Sequence, residues 1–287
     1  MKHILVTGGA GFVGSNLCER LAADPNNVVI SVDNYSTGST NNHVPNVKYF
    51  NMSTTDIKVL YYRNGYKFDL IYHLGEYSRV EQSFDDIEKV WDYNLQGTLQ
   101  VLQFAKLVGA KLVYAGSSTK FGDGGTGANS SPYAFSKSTN TQLVQNFAEW
   151  YGLDYAITYF YNVYGRREIA SGQYATLIAK FANMVKNGEP LTVTSPGTQQ
   201  RNFTHVDDIV DGLLLVGEKG HGDEYGIGSP ESYTVLEIAQ MFGSEIVMTP
   251  PKKGNRLTAS LITEKTQSLG WKPTRHIADY IKSVKSN

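Results

Sequence analysis

The chain is predicted to fold as an α/β protein, a doubly wound parallel sheet (Rossmann fold) followed by a smaller, mixed C-terminal lobe. Short apolar runs rich in β-branched residues recur through its first half, longer amphipathic stretches separate them, and a glycine-rich loop follows the first run directly. The runs fall at 4–7, 28–32, 47–50, 70–73, 112–115 and 155–160. Each is a strand-length segment, and each gap is long enough for a helical crossover. That alternation argues a parallel sheet covered on both faces. After residue 160 the regularity gives way to segments rich in Gly, Pro and Tyr, with helices expected at 173–187 and 206–216. Pro250-Pro251-Lys252-Lys253-Gly254 reads as a loop. The expected division is 1–160 for the sheet domain and 161–287 for the second lobe, with a segment near 191–218 returning to the sheet.

Bulk composition narrows the function classes. With 26 basic and 27 acidic side chains among 287 residues, the chain has no net field to gather nucleic acid or an anionic membrane. Any anionic ligand must be met locally. A single cysteine, Cys18, excludes an internal disulfide and a thiolate metal cluster. The N-terminal apolar run is too short for a signal peptide, and no apolar run reaches transmembrane length. A cytoplasmic, soluble protein is expected, and no metal.

The loop Thr7-Gly8-Gly9-Ala10-Gly11-Phe12-Val13-Gly14 places glycines three apart at Gly8, Gly11 and Gly14, with Gly9 as one extra. Glycines permit a tight turn and close backbone approach to a pyrophosphate, which the following helix N-terminus favours electrostatically. The spacing differs from the usual Rossmann fingerprint. Asp33 ends the second run, where a carboxylate accepts hydrogen bonds from ribose hydroxyls and repels a 2′-phosphate. That order of strand, glycines, helix, strand and acid favours NAD over NADP. Asp33 taken alone would serve equally as a turn or cap residue.

Tyr133 and Lys137 stand four apart in Ser131-Pro132-Tyr133-Ala134-Phe135-Ser136-Lys137, on one face of an expected helix. A cation beside a phenol favours the phenolate and makes a proton acceptor usable near neutrality. In isolation the two could simply share an exposed face. Ser117 lies sixteen residues earlier, at the end of the fifth run, where open α/β sheets place ligands.

These motifs, with His73-Leu74, Asn94-Leu95-Gln96-Gly97-Thr98, Ser117-Ser118-Thr119, Asn162-Val163-Tyr164-Gly165 and Arg201-Asn202-Phe203-Thr204-His205-Val206-Asp207-Asp208, run nearly end to end. The chain resembles the extended short-chain dehydrogenase/reductase superfamily, specifically its NAD-dependent nucleotide-sugar epimerases and dehydratases of the UDP-galactose 4-epimerase type. The resemblance implies catalysis by Ser117, Tyr133 and Lys137. It implies NAD contacts from Gly8, Gly11, Phe12, Val13, Gly14, Asp33, Asn34, Asn51, Met52, Leu74, Asn94, Tyr133 and Lys137. Sugar-nucleotide contacts are implied for Ser117, Ser118, Thr119, Asn162 and Arg201, the last two reaching the diphosphate. Asn162 also reads as a turn residue, and Arg201 as a surface charge. A homodimer paired through 95–108 and 134–150 is implied as well, although either helix could equally serve the sheet.

Family 4,6-dehydratases carry an Asp-Glu pair where this chain has Ser118 and Thr119, and related decarboxylases carry Glu at the second of these places. Hydroxyls do not readily replace carboxyls in β-elimination near neutral pH. A 4-epimerase is therefore the leading expectation, with a dehydratase or decarboxylase as the alternative and a non-catalytic NAD-sensing protein as the rival of another class. Several places depart from the family. Arg166-Arg167 replaces the usual Pro, and the Lys252-Lys253 pair stands where an arginine is common; either pair reads as a phosphate clamp or as solvated charge. Glu76 and Arg79 fall where small residues are usual, an unusual sugar being one reading. Thr258 or Ala259 aligns with the position that sets room for a C2 acetamido group. His205 reads as a packed histidine, and Asp207 and Asp208 as caps of the following helix.

Overall fold

The protein is described by a computed structural model covering residues 1–121, 127–251 and 260–285. Six strands form where the apolar runs stand: β1 (Lys2–Thr7), β2 (Asn27–Asp33), β3 (Val47–Asn51), β4 (Leu70–His73), β5 (Lys111–Ser117) and β6 (Tyr155–Phe160). A seventh strand, Gly222–Ile227, joins β6, and the sheet order is Gly222–Ile227, β6, β5, β4, β1, β2, β3. Every pairing in it is parallel. Alternation along β1 divides the core: Leu5 packs with the helices Gly97–Val108 and Pro132–Tyr151, whereas Ile4 and Val6 pack with Phe12–Ala22 and Val206–Lys219. Burial of both faces explains why the strands read as continuous apolar runs.

The 20-residue helix Pro132–Tyr151 has sequence-encoded ends. Ser131 Oγ accepts the Ala134 N–H at 3.1 Å, Pro occupies the first turn, and Gly152 closes the helix at φ 69°. Its start fixes Tyr133 and Lys137 at the sheet edge. The helix expected at 173–187 is shorter, Leu177–Lys186. Gly172 at φ 78° and the Thr176 N–H bonded to Ile169 O hold the preceding residues in a turn. The helix expected to end at 216 continues to Lys219, where Gly220 follows.

The return to the sheet also differs from the expected 191–218. Leu191–Thr194 pairs with Ile246–Thr249 outside the main sheet, and Gln200–Asn202 pairs antiparallel with Ser232–Thr234. The chain returns through the helix Val206–Lys219 and the strand Gly222–Ile227. Short pairings of three and four residues carry little apolar pattern, so their placement depends on the neighbouring core of Tyr164, Ile178, Phe181, Phe203, Ile238 and Phe242. No helix among the described residues is long and apolar enough to cross a membrane.

The returning strand is pinned by close backbone approach. A Cβ on Gly226 would lie 1.5 Å from the Ile262 carbonyl oxygen, too close for any side-chain adjustment. Gly226→Ala is expected to lower the urea midpoint, a loss of about 3 kcal/mol or more from overpacking against backbone. An unchanged midpoint would refute this packing.

Candidate active site

A cavity of about 710 Å³ opens at the carboxyl ends of the sheet strands and is lined by the glycine loop, the end of β2, the loop after β4, Ser117 to Thr119, Tyr133 and Lys137. It lies beside the point where β1 separates β2 from β4, the topological switch of this sheet. Gly8 adopts φ 74° and its N–H donates to Val32 O at 2.8 Å. A Cβ on Gly14 would lie 2.1 Å from Gly8 O, so the helix sits directly on the loop. Gly9, the extra glycine of the motif, packs against β2: a Cβ there would meet Ser31 Oγ at 2.3 Å. Gly11 precedes the helix without a side-chain cap, and Gly11, Phe12, Val13 and Gly14 line the cavity. Uncapped N–H groups at a helix start are an anion site.

Asp33 accepts the Ala10 N–H at 2.9 Å through Oδ2 and the Tyr35 N–H at 2.8 Å through Oδ1. Burial pushes its carboxyl above the usual range, partly offset by those amides. Asn34, Met52 and Leu74 line the same cavity. Asn51 and Asn94 are not among its lining residues. Asn94 is fully buried in the π-helical turn Trp91–Gln96, where its amide bonds Tyr77 N, Tyr77 O and Ser136 Oγ. It holds the loop after β4 in place.

Tyr133 and Ser117 meet. The phenol donates to Ser117 Oγ at 3.2 Å, and that oxygen also accepts from Thr119 Oγ1 at 2.9 Å. Ser118 is buried and lines the cavity with them. Lys137 donates to Ala115 O and pairs with Glu76, and makes no direct hydrogen bond to the phenol. Both side chains of the ion pair are nearly inaccessible, 6 % for Lys137 and 4 % for Glu76. The other carboxylate oxygen accepts from Thr98 Oγ1 at 2.7 Å, Asn140 Nδ2 at 2.8 Å and Tyr114 OH at 3.2 Å. Satisfying all these lone pairs is what makes a buried pair tolerable. Thr98 continues to His73 Nε2 at 2.9 Å, and His73 Nδ1 to Thr7 Oγ1 at 2.7 Å. Burial drives the imidazole down to about 4, so it is neutral and bridges two hydroxyls. The roles of Glu76, Thr98 and Asn140 are absent from the sequence reading. Only the unusual residue at 76 could have signalled them.

On the opposite wall, Asn162 lines the cavity at φ 31° with its Nδ2 bonded to Asn202 O, and Arg201 lines it from the strand Gln200–Asn202. Arg166 and Arg167 do not clamp the cavity. Both pair with Glu19 of the first helix, which fastens the segment after β6 to that helix. His205 accepts the Asp207 N–H and is itself the N-cap of Val206–Lys219. Asp208 instead accepts from Thr274 and Arg275. Lys252, Lys253, Thr258 and Ala259 lie outside the described residues.

The model of the NAD dependent epimerase/dehydratase family matches residues 4–228. The chain belongs to that family. UDP-glucuronic acid decarboxylase 5 of Arabidopsis thaliana is 31% identical over 94% of this chain and 84% of its own length. The UDP-glucose 4-epimerase of Thermotoga maritima, solved with UDP-glucose, is 27% identical with a TM-score of 0.91, covering 99% of this chain and 97% of that one. A dTDP-glucose 4,6-dehydratase from Streptomyces venezuelae, solved with NAD, is 27% identical with a TM-score of 0.89, covering 99% and 96%. Proteins similar to this chain are thus named for three reactions, two of them on solved structures of closely similar fold. NAD is the cofactor, and the residues present fit it: a glycine-lined approach, an uncapped helix start and a carboxylate at the end of β2.

Glu76→Ala leaves the buried Lys137 ammonium without its counter-charge. A loss of about 3–5 kcal/mol is expected in chemical denaturation, with partial recovery when Lys137→Met is added. Equal stability of the single variant and wild type would contradict the pairing.

Proposed function

We propose that the chain is a nucleotide-sugar 4-epimerase that inverts C4 with no net change in NAD. The observation that supports this reading best is the Ser117–Tyr133 hydrogen bond, with Ser118 and Thr119 beside it in place of carboxyls. Ser117 orients the sugar 4-hydroxyl, and Tyr133 takes its proton and later returns it. NAD supplies the matching hydride acceptance and return. Lys137 and Glu76 hold the base of the site, and Asn162 and Arg201 serve the diphosphate. The glycine loop, Asp33, Asn34, Met52 and Leu74 serve the cofactor. Elimination of water would call for acids at 118 and 119, and loss of CO₂ for one at 119. Glu76 does not replace them, because its carboxylate is bound to Lys137 and three other donors.

The proposal includes a homodimer. Trp91, Leu107, Phe135 and Trp150 leave large apolar surfaces exposed on the helical side bearing 95–108 and 134–150, an arrangement suited to pairing. Sedimentation of the wild type should give a dimer mass, and Phe135→Glu with Trp150→Glu a monomer. A monomeric wild type ends this part of the proposal.

Purified enzyme given UDP, dTDP, GDP and CDP sugars should yield a C4 epimer with no accumulation of reduced-nicotinamide absorbance. Tyr133→Phe should lower turnover by roughly 10²–10⁴ with folding intact. Products lighter by water or CO₂ would replace the epimerase reading with one of the alternatives, and a fully active Tyr133→Phe would remove Tyr133 from the chemistry.

A further inference from the structure

The cavity contains a cation that the proposed chemistry leaves unused. Arg79, in the loop after β4, lines it and forms no ion pair with any described carboxylate. Its Nε and Nη2 donate to Tyr174 O at 3.0 and 2.7 Å, and Nη1 donates to Ser78 O and Oγ at 3.1 and 3.2 Å. All three acceptors, Tyr174 O, Ser78 O and Ser78 Oγ, are neutral oxygens. They orient the guanidinium and do not neutralise it. The hydroxyls of Tyr77 and Tyr174 both donate to Asp86 Oδ2, at 2.9 and 2.8 Å, so the acceptor segment is itself braced. Burial pulls the guanidinium below its usual arginine value, as expected for a desolvated cation without a counter-charge.

Two neighbours define what the cation faces. Its field reaches Tyr133 and Glu168. Glu168 lines the same cavity, accepts the Gly165 N–H at 2.8 Å through Oε2, and keeps Oε1 buried without a hydrogen-bond partner. Burial pushes this carboxyl up to about 7, so near neutrality it is only partly ionised and offsets Arg79 incompletely.

We infer that Arg79 receives a carboxylate carried on the sugar at C6, which makes the substrate class a nucleoside diphosphate hexuronate. The orientation rests on the 4-epimerase reading. If Tyr133 addresses C4, the adjoining ring carbons carry the C3 hydroxyl and C6, and of these only C6 can be a carboxylate, whereas the diphosphate on C1 lies across the ring. A carboxylate supplies the missing counter-charge and accepts the Nη2 N–H that Tyr174 O does not use. The unpartnered Glu168 oxygen then accepts a hydroxyl of the same ring.

Calorimetric titration of the NAD-loaded full chain tests this with UDP-glucuronate against UDP-glucose and GDP-mannuronate against GDP-mannose, each pair read as a ratio of Kd values. The uronate of the preferred nucleotide should bind at least roughly tenfold tighter, Arg79→Gln should bring that ratio close to one, and Arg79→Lys should fall between. Equal binding of uronate and hexose by the wild type overturns the inference, independently of any variant. So does a preference that survives in Arg79→Gln. If Arg79→Gln instead weakens UDP or GDP alone as much as the sugars, Arg79 serves the diphosphate and the inference fails. Product analysis in parallel separates the two readings: absence of C4 inversion with every sugar removes the epimerase, while the binding ratio still decides whether the anion site exists.

Discussion

Seven parallel strands must all end at the same edge of their sheet, and that constraint organises the molecule. Crossover helices carry the chain back each time, so the loops after β1, β2, β4 and β5 converge at one rim. The glycine loop, Asp33, the Glu76 to Arg79 segment and Ser117 to Thr119 are those loops. None is near the others in sequence. A site assembled this way changes its chemistry by exchanging loop residues while the sheet remains, which is consistent with solved relatives named as an epimerase and a dehydratase on closely similar backbones.

Within that frame a chain of buried polar groups connects the two ends of the site. Thr7 accepts the Leu74 and Gly75 amides, His73 bridges Thr7 to Thr98, and Thr98 leads through Glu76 to Lys137. Low local polarity makes each link strong and makes any broken link costly. The network therefore holds the glycine loop and the lysine in a single geometry. It also redistributes charge. The Lys137 ammonium is matched by Glu76, so the cation left facing the open cavity from this loop is Arg79, three residues further on.

The glycine at position 9 illustrates the limit of motif reading. Its spacing made it redundant for a phosphate, yet Ser31 and Cys18 leave no room for a Cβ. The arginines at 166 and 167 illustrate the same limit from the charged side. A basic pair next to a family motif reads as a phosphate clamp or as solvated charge, and both side chains instead reach Glu19. Local patterns report what a residue can do, and only the packed partners report what it does.

Strand positions, the glycine loop and the capped start of Pro132–Tyr151 were legible because each depends on local periodicity, backbone freedom or fixed helical spacing, while the association of Ser117 with Tyr133 was legible through the family resemblance. The seventh strand, the turn before Leu177–Lys186 and the lobe's small sheets were not, since their pairings are short and their register comes from the core they enclose. The sequence by itself determined the sheet, the cofactor class and the helical start that carries the phenol. Tertiary structure alone decided that Glu76 belongs to Lys137, that Asn94 braces a loop, and that Arg79 lines the cavity with Glu168 without an ion pair to it, because hydrogen-bond partners and burial are set by residues that the chain brings together only after folding.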